Sequence, residues 1–129
     1  MQNNKFTHSE LTGEILKCFF ESYNRLGYGF TKSIYLEALE KALNQTKLKV
    51  RKNKTVDVMY EMDVIGQIGL DLVVADKILI LVTATDQLQD KEIKRMFNFL
   101  RQSDFKIGML LNYGERPGYK RRDLMDVPD

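Results

Sequence analysis

Apolar positions recur every three or four residues near the start of the chain. Leu11, Ile15, Phe19 and Tyr23 fall one helical turn apart, and Leu16, Cys18 and Leu26 widen the stripe. This period predicts an amphipathic helix over about 8–26, opened by Thr7 and Glu10 at capping-box spacing and stopped by Gly27. A second helix is expected over about 32–46, capped by Thr31, with Ile34, Tyr35, Leu39, Ala42 and Leu43 on its apolar face. The period then changes to two. Val56, Val58 and Tyr60 alternate with polar residues, a turn is expected at Glu61-Met62-Asp63, and a second strand over about 64–74. Another tight turn, Ala75-Asp76-Lys77, leads into Ile78-Leu79-Ile80-Leu81-Val82, which is apolar at every position and predicts a strand covered on both faces. A third helix over about 87–102 carries Ile93, Met96, Phe97 and Leu100, with Leu88 and Phe99 beside that stripe. A last strand follows over 106–112. The connection between the last two strands is long enough for a parallel crossover. The order ααβββαβ describes an α/β sandwich: a mixed β-sheet flanked by helices, forming one domain over 1–115. Residues 116–129 are expected to be a loosely ordered C-terminal tail.

Composition narrows the chemistry. In a chain of 129 residues there is one cysteine, Cys18, and one histidine, His8. An internal disulfide, a Cys-rich zinc site and a multi-histidine metal site are therefore excluded. Cys18 reads as a small core residue and His8 as a helix-start residue. No apolar run reaches the ~18 residues of a membrane span, and the polar start Met1-Gln2-Asn3-Asn4-Lys5 does not look like a signal peptide. A cytoplasmic protein with no membrane contact is the expectation. Net charge is only +2, but the cations are uneven. Lys47, Lys49, Arg51, Lys52 and Lys54 follow one another without an acid, and Lys120-Arg121-Arg122 forms a second cluster. The first run is either a lysine-protected edge strand or a contact for DNA or RNA.

Leu11-Thr12, Leu26-Gly27, Gly29-Phe30-Thr31-Lys32-Ser33-Ile34-Tyr35, Gly66, Asp71-Leu72-Val73-Val74, Asp76-Lys77, Asn98-Phe99-Leu100 and Gly108-Met109-Leu110-Leu111-Asn112-Tyr113-Gly114 occur in one series. Over about residues 9–115 this series resembles the GxxExxY proteins, of the PD-(D/E)XK nuclease-like superfamily. The resemblance implies a restriction-endonuclease-like fold. It also implies a site in which two strand carboxylates hold Mg²⁺ and a lysine two residues after the second acid assists attack at phosphorus. A glutamate of the Gly-x-x-Glu-x-x-Tyr segment and a helix glutamine complete that site.

Carried onto this chain, the first aspartate is Asp71. The Glu-x-Lys that should follow falls on Leu81-Val82-Thr83, the motif glutamate on Lys32, and the glutamine near Arg95. Asp71 is thus vestigial and no metal site is expected. Of the spare acids, Asp76 lies in a turn, Glu37 lies well round its helix from Lys32, and Asp86 is the best placed. Lys32 is expected to approach Asp71 and supply the charge that a metal would bring, since an aspartate in a partly dry pocket needs a partner.

Three functions follow. The first is a nuclease-fold protein without metal-dependent phosphodiesterase activity, needing no cofactor and serving binding or assembly, with nucleic acid as a candidate partner. The second is a divergent Mg²⁺-dependent nuclease using Asp71 and Asp86. The third is a protein-interaction module, such as a homodimer built on Leu88 and Phe99 or on the Phe30 loop, although such aromatics are more often core.

Overall fold

The structure is a computed structural model that describes residues 8–124. Its elements are α1 (His8–Leu26), α2 (Lys32–Asn44), β1 (Val50–Tyr60), β2 (Asp63–Val74), β3 (Ile78–Thr83), α3 (Asp90–Gln102), β4 (Ile107–Tyr113) and β5 (Pro117–Asp123). The five strands form one sheet in the order β1-β2-β3-β4-β5. All neighbours are antiparallel except β3 and β4, which are parallel and joined through α3. The expected cap at Thr7 lies outside the described residues, as do positions 125–129 of the expected tail.

Alternation along the covered strands sorts the core into two layers. Ile78, Ile80 and Val82 of β3 join Ile107, Met109, Leu111 and Tyr113 of β4 under α1 and α2. Leu79 and Leu81, with Leu110 of β4, face Met96, Phe99 and Leu100 of α3. An unbroken apolar run is therefore two alternating faces superimposed, each buried by a different set of helices. Cys18 lies in the first layer, and burial pushes its thiol above the ordinary value.

Two expectations are corrected. The tail forms a strand: β5 pairs with β4 from Tyr113↔Pro117 to Ile107↔Asp123, and Leu124 continues the contact with an N–H donated to the Lys106 carbonyl. The order is thus ααβββαββ. Pro117-Gly118-Tyr119-Lys120-Arg121-Arg122-Asp123 has no apolar alternation, because an edge strand draws its order from backbone pairing, and proline is tolerated at a strand's first residue. The placement of Leu88 and Phe99 on an interaction surface is also corrected, whereas the Phe30 loop remains open to solvent. Phe99 is core and Leu88 packs partly buried against it. Phe30 is exposed, with its ring edge-on to Tyr35.

The β1–β2 hairpin is longer than the sheet that supports it. β3 pairs with β2 only through Leu72, Val73 and Val74, so the part beyond Lys54↔Leu70 is a two-stranded ribbon. Its turn uses Glu61 and Met62, at φ 50° and 73°, the left-handed pair that a two-residue hairpin joint requires.

Candidate functional site

Asp71 lies on β2 beside β3, and both of its carboxylate oxygens have partners. One accepts the Val82 backbone N–H at 2.8 Å. The other faces the Lys32 ammonium at 3.0 Å. The Asp71 side chain is 14% exposed and that of Lys32 is 46% exposed. The expected approach of Lys32 is therefore observed. A lysine at the first position of a helix opposes the helix dipole, and Asp71 offsets that cost.

The loop that delivers Lys32 is held by tyrosine. The Tyr35 hydroxyl accepts the Phe30 N–H at 3.0 Å and donates to the Gly27 carbonyl at 2.5 Å. Its ring stacks on Tyr113 with centroids 4.3 Å apart. Gly29 lies within this clamp at φ 120°, a conformation open to glycine and strained for other residues. The glycine and tyrosine of the quoted motif thus have a local mechanical use: they fix the entry to α2. Burial pushes the Tyr113 phenol far above its ordinary value, while its bond with Ser22 acts in the opposite direction.

Lys32, Asp71, Leu81, Thr83 and Arg95, the five positions taken from the resemblance, line one small cavity with Glu92, Gly69, Val82 and Leu110. The cavity holds about 20 Å³, room for about one water. Leu81 is 6% exposed and belongs to the core under α3. Thr83 turns its hydroxyl to Asn112 Oδ1 at 2.8 Å, and the same oxygen accepts the Thr85 N–H at 3.0 Å. Asn112 returns an N–H to the Thr85 carbonyl at 2.9 Å. The loop after β3 is thereby stapled to β4. Gly114 completes this packing: a Cβ there would collide with the Thr85 carbonyl oxygen. Arg95 lies over the Phe99 ring, 5.1 Å from its centroid, a cation–π arrangement.

Asp86, the spare acid expected from the sequence, does not join this group. It accepts a hydrogen bond from the Tyr28 hydroxyl, and that bond is the main cause raising the Tyr28 phenol above its ordinary value. The additional acid at the cavity is Glu92, which the sequence reading missed. Two signals could have found it: it lies three residues before Arg95, on the same helix face, and it stands at capping-box spacing from Gln89. The box is present, with Glu92 accepting the Gln89 N–H at 3.3 Å.

The basic run is largely paired within the chain. Lys49 and Arg51 meet Asp76 at 3.0 and 2.9 Å, and Lys52 meets Glu40 at 3.7 Å. The hydrogen bond from Lys49 holds the Asp76 carboxyl below its ordinary value, and Arg51 adds to this. Lys47 and Lys54 have no ion pair among the described residues. Lys120, Arg121 and Arg122 lie on β5, where Arg121 reaches Asp123 at 3.5 Å.

A mixed five-stranded sheet with helices on both faces, and a strand aspartate beside its parallel pair, is the frame of the restriction-endonuclease-like fold. The family model of the PD-(D/E)XK nuclease superfamily matches residues 9–122, and the chain belongs to that superfamily. Neither a curated protein nor a solved structure matches the chain significantly. No helix among the described residues is long and apolar enough to cross a membrane.

The residues present do not fit the Mg²⁺ that this superfamily implies. The ion requires near-octahedral oxygen coordination. Here an ammonium and a backbone N–H take the two Asp71 oxygens, Leu81 offers hydrocarbon, and no group of three or more His, Cys, Asp or Glu side chains among the described residues could hold a metal.

Proposed function

We propose that this protein is a nuclease-fold protein that has given up metal-dependent phosphodiester cleavage and works by binding. The Lys32–Asp71 pair carries this reading. The ammonium supplies from within the chain the positive charge that a carboxylate at this point of the fold would otherwise take from a cation. The second oxygen's bond to Val82 leaves the acid tied to the sheet. Leu81 and Thr83 are absorbed into the core and the Asn112 staple, so the two positions that should supply an acid and a cation now stabilise the fold. The Gly29–Tyr35 pattern supports a place close to the GxxExxY proteins, with the acid of that motif replaced. A cytoplasmic setting belongs to the same reading.

Nucleic acid is the partner that the superfamily suggests. Lys47, Lys49, Arg51, Lys52 and Lys54 are its candidate contacts, because exposed ion pairs contribute little stability and phosphates can displace them. Such binding would be sequence-tolerant and salt-sensitive.

The deciding experiment incubates the protein with supercoiled plasmid and with single-stranded oligonucleotide in Mg²⁺ and in Mn²⁺, alongside calorimetric titration with each ion. The expected result is no cleavage and no metal binding. The triple variant Lys32→Glu, Leu81→Glu, Thr83→Lys is expected to gain measurable Mn²⁺ affinity. Metal-dependent cleavage by the unmodified chain, lost in Asp71→Ala, would falsify the proposal.

A further inference from the structure

We propose that the tip of the β1–β2 hairpin is a self-association element that seats in the groove between α3 and β5 of a second copy of this chain. Met62 at the turn is 91% exposed, and Met59, Tyr60, Val64 and Ile65 around it are exposed as well. The register shifts between Val58 and Met59, which leaves Ile65 as the extra residue of a β-bulge beside Val64 and gathers these apolar side chains at the tip. Apolar side chains gathered at one point mark a contact surface: α3 covers the ribbon through Val56 and Ile68 and accepts the Met59 N–H at Gln102 Oε1, 3.3 Å away, but leaves the tip uncovered.

Charge selects the kind of occupant. Between Thr55 and Gln67 the chain carries Asp57, Glu61 and Asp63 and no lysine or arginine. Such a tip is repelled by phosphates and suited to an apolar surface with a basic rim. The chain carries that surface. Ile93 and Phe97 of α3, with Lys94, Arg101 and Arg122 and a single acid, Asp90, line a groove of about 560 Å³. One tip in one groove is a small contact. A reciprocal exchange uses two tips and two grooves, doubles the buried area toward what a stable pair needs, and closes on a two-fold axis. Lysines along the inner half of β1 oppose edge-to-edge strand addition, so the contact is made by side chains at the tip. This inference does not depend on whether the Asp71 site cuts.

Sedimentation of the full chain over a micromolar concentration series tests it. A closed dimer is expected, weakened about tenfold or more by Met62→Asp with Ile65→Asp, and equally by Lys94→Glu with Arg122→Glu. Met62, Ile65 and Lys94 are exposed and Arg122 is half-buried, and circular dichroism checks that the variants fold. Exchanging the charges (Glu61→Lys with Asp63→Lys on the tip, Lys94→Glu with Arg122→Glu in the groove) should restore dimer only when both sets are present. A chain that stays monomeric throughout, a dimer indifferent to the tip substitutions, or an open ladder of oligomers would overturn the proposal. So would oligonucleotide binding that disappears in the tip variant, since the ribbon would then be a nucleic-acid element.

Discussion

The two halves of β2 treat their side chains in opposite ways. In the inner half, Leu70, Leu72, Val73 and Val74 are buried, and Asp71 among them has a partner for each oxygen. In the outer half, Val64 and Ile65 lie in water beside Met62. One strand therefore holds a charged group that the fold satisfies internally and apolar groups that it leaves uncovered. The acid expected to be vestigial has its requirements met within the chain. The position with unmet requirements is the hairpin tip, and that is where an external partner has most to contribute.

Substitutions of graded size probe this contrast. Leu81→Ala should have the largest effect, about 2–4 kcal/mol by urea unfolding, because it opens a cavity under α3. A cost below ~1 kcal/mol would mean that the site is an open cleft. Asp71→Ala should cost about 1–3 kcal/mol, chiefly because it strands the Val82 N–H beneath the sheet's cover. Lys32→Ala should cost no more than ~1 kcal/mol, because the lysine is nearly half exposed and water can replace it. A double-mutant cycle on the two residues reads their coupling directly.

Alkaline titration tests the tyrosine clamp behind Lys32. Burial raises the Tyr113 phenol above its ordinary value, so its contribution is complete below pH ~10, the unfolded phenol's range, and is lost as the pH rises toward the folded value. Unfolding should therefore coincide with a late, cooperative rise in tyrosinate absorbance. Ionisation of all six tyrosines with the fold intact would show that Tyr113 is wet. The smallest effect belongs to the tip. Met62→Ser and Ile65→Ser should change the stability of the dissociated chain by no more than ~0.5 kcal/mol, and a larger loss would place the tip in this chain's own core.

Much of this was legible along the chain. The periods of α1, α2 and α3, the two-faced run of β3 and both tight turns each follow from local patterning. The meeting of Lys32 with Asp71 was expected because a carboxylate in a dry pocket requires a counter-charge. β5 was not legible, because its order comes from pairing with β4 and its side chains carry no alternation. Glu92 was missed because it reaches the cavity only once α3 crosses the sheet beside Asp71. Asp86 was overrated because nothing in sequence separation shows that Tyr28 would engage it.

The sequence by itself determined the helices, the buried strands and the side-chain chemistry available at Leu81 and Thr83, because periodicity and residue chemistry are local properties. The tertiary structure alone decided which charges meet, that Thr83 is consumed by Asn112, and that the hairpin outruns its sheet. Those outcomes depend on distances between segments far apart in the chain, which packing of the two core layers sets and no local pattern encodes.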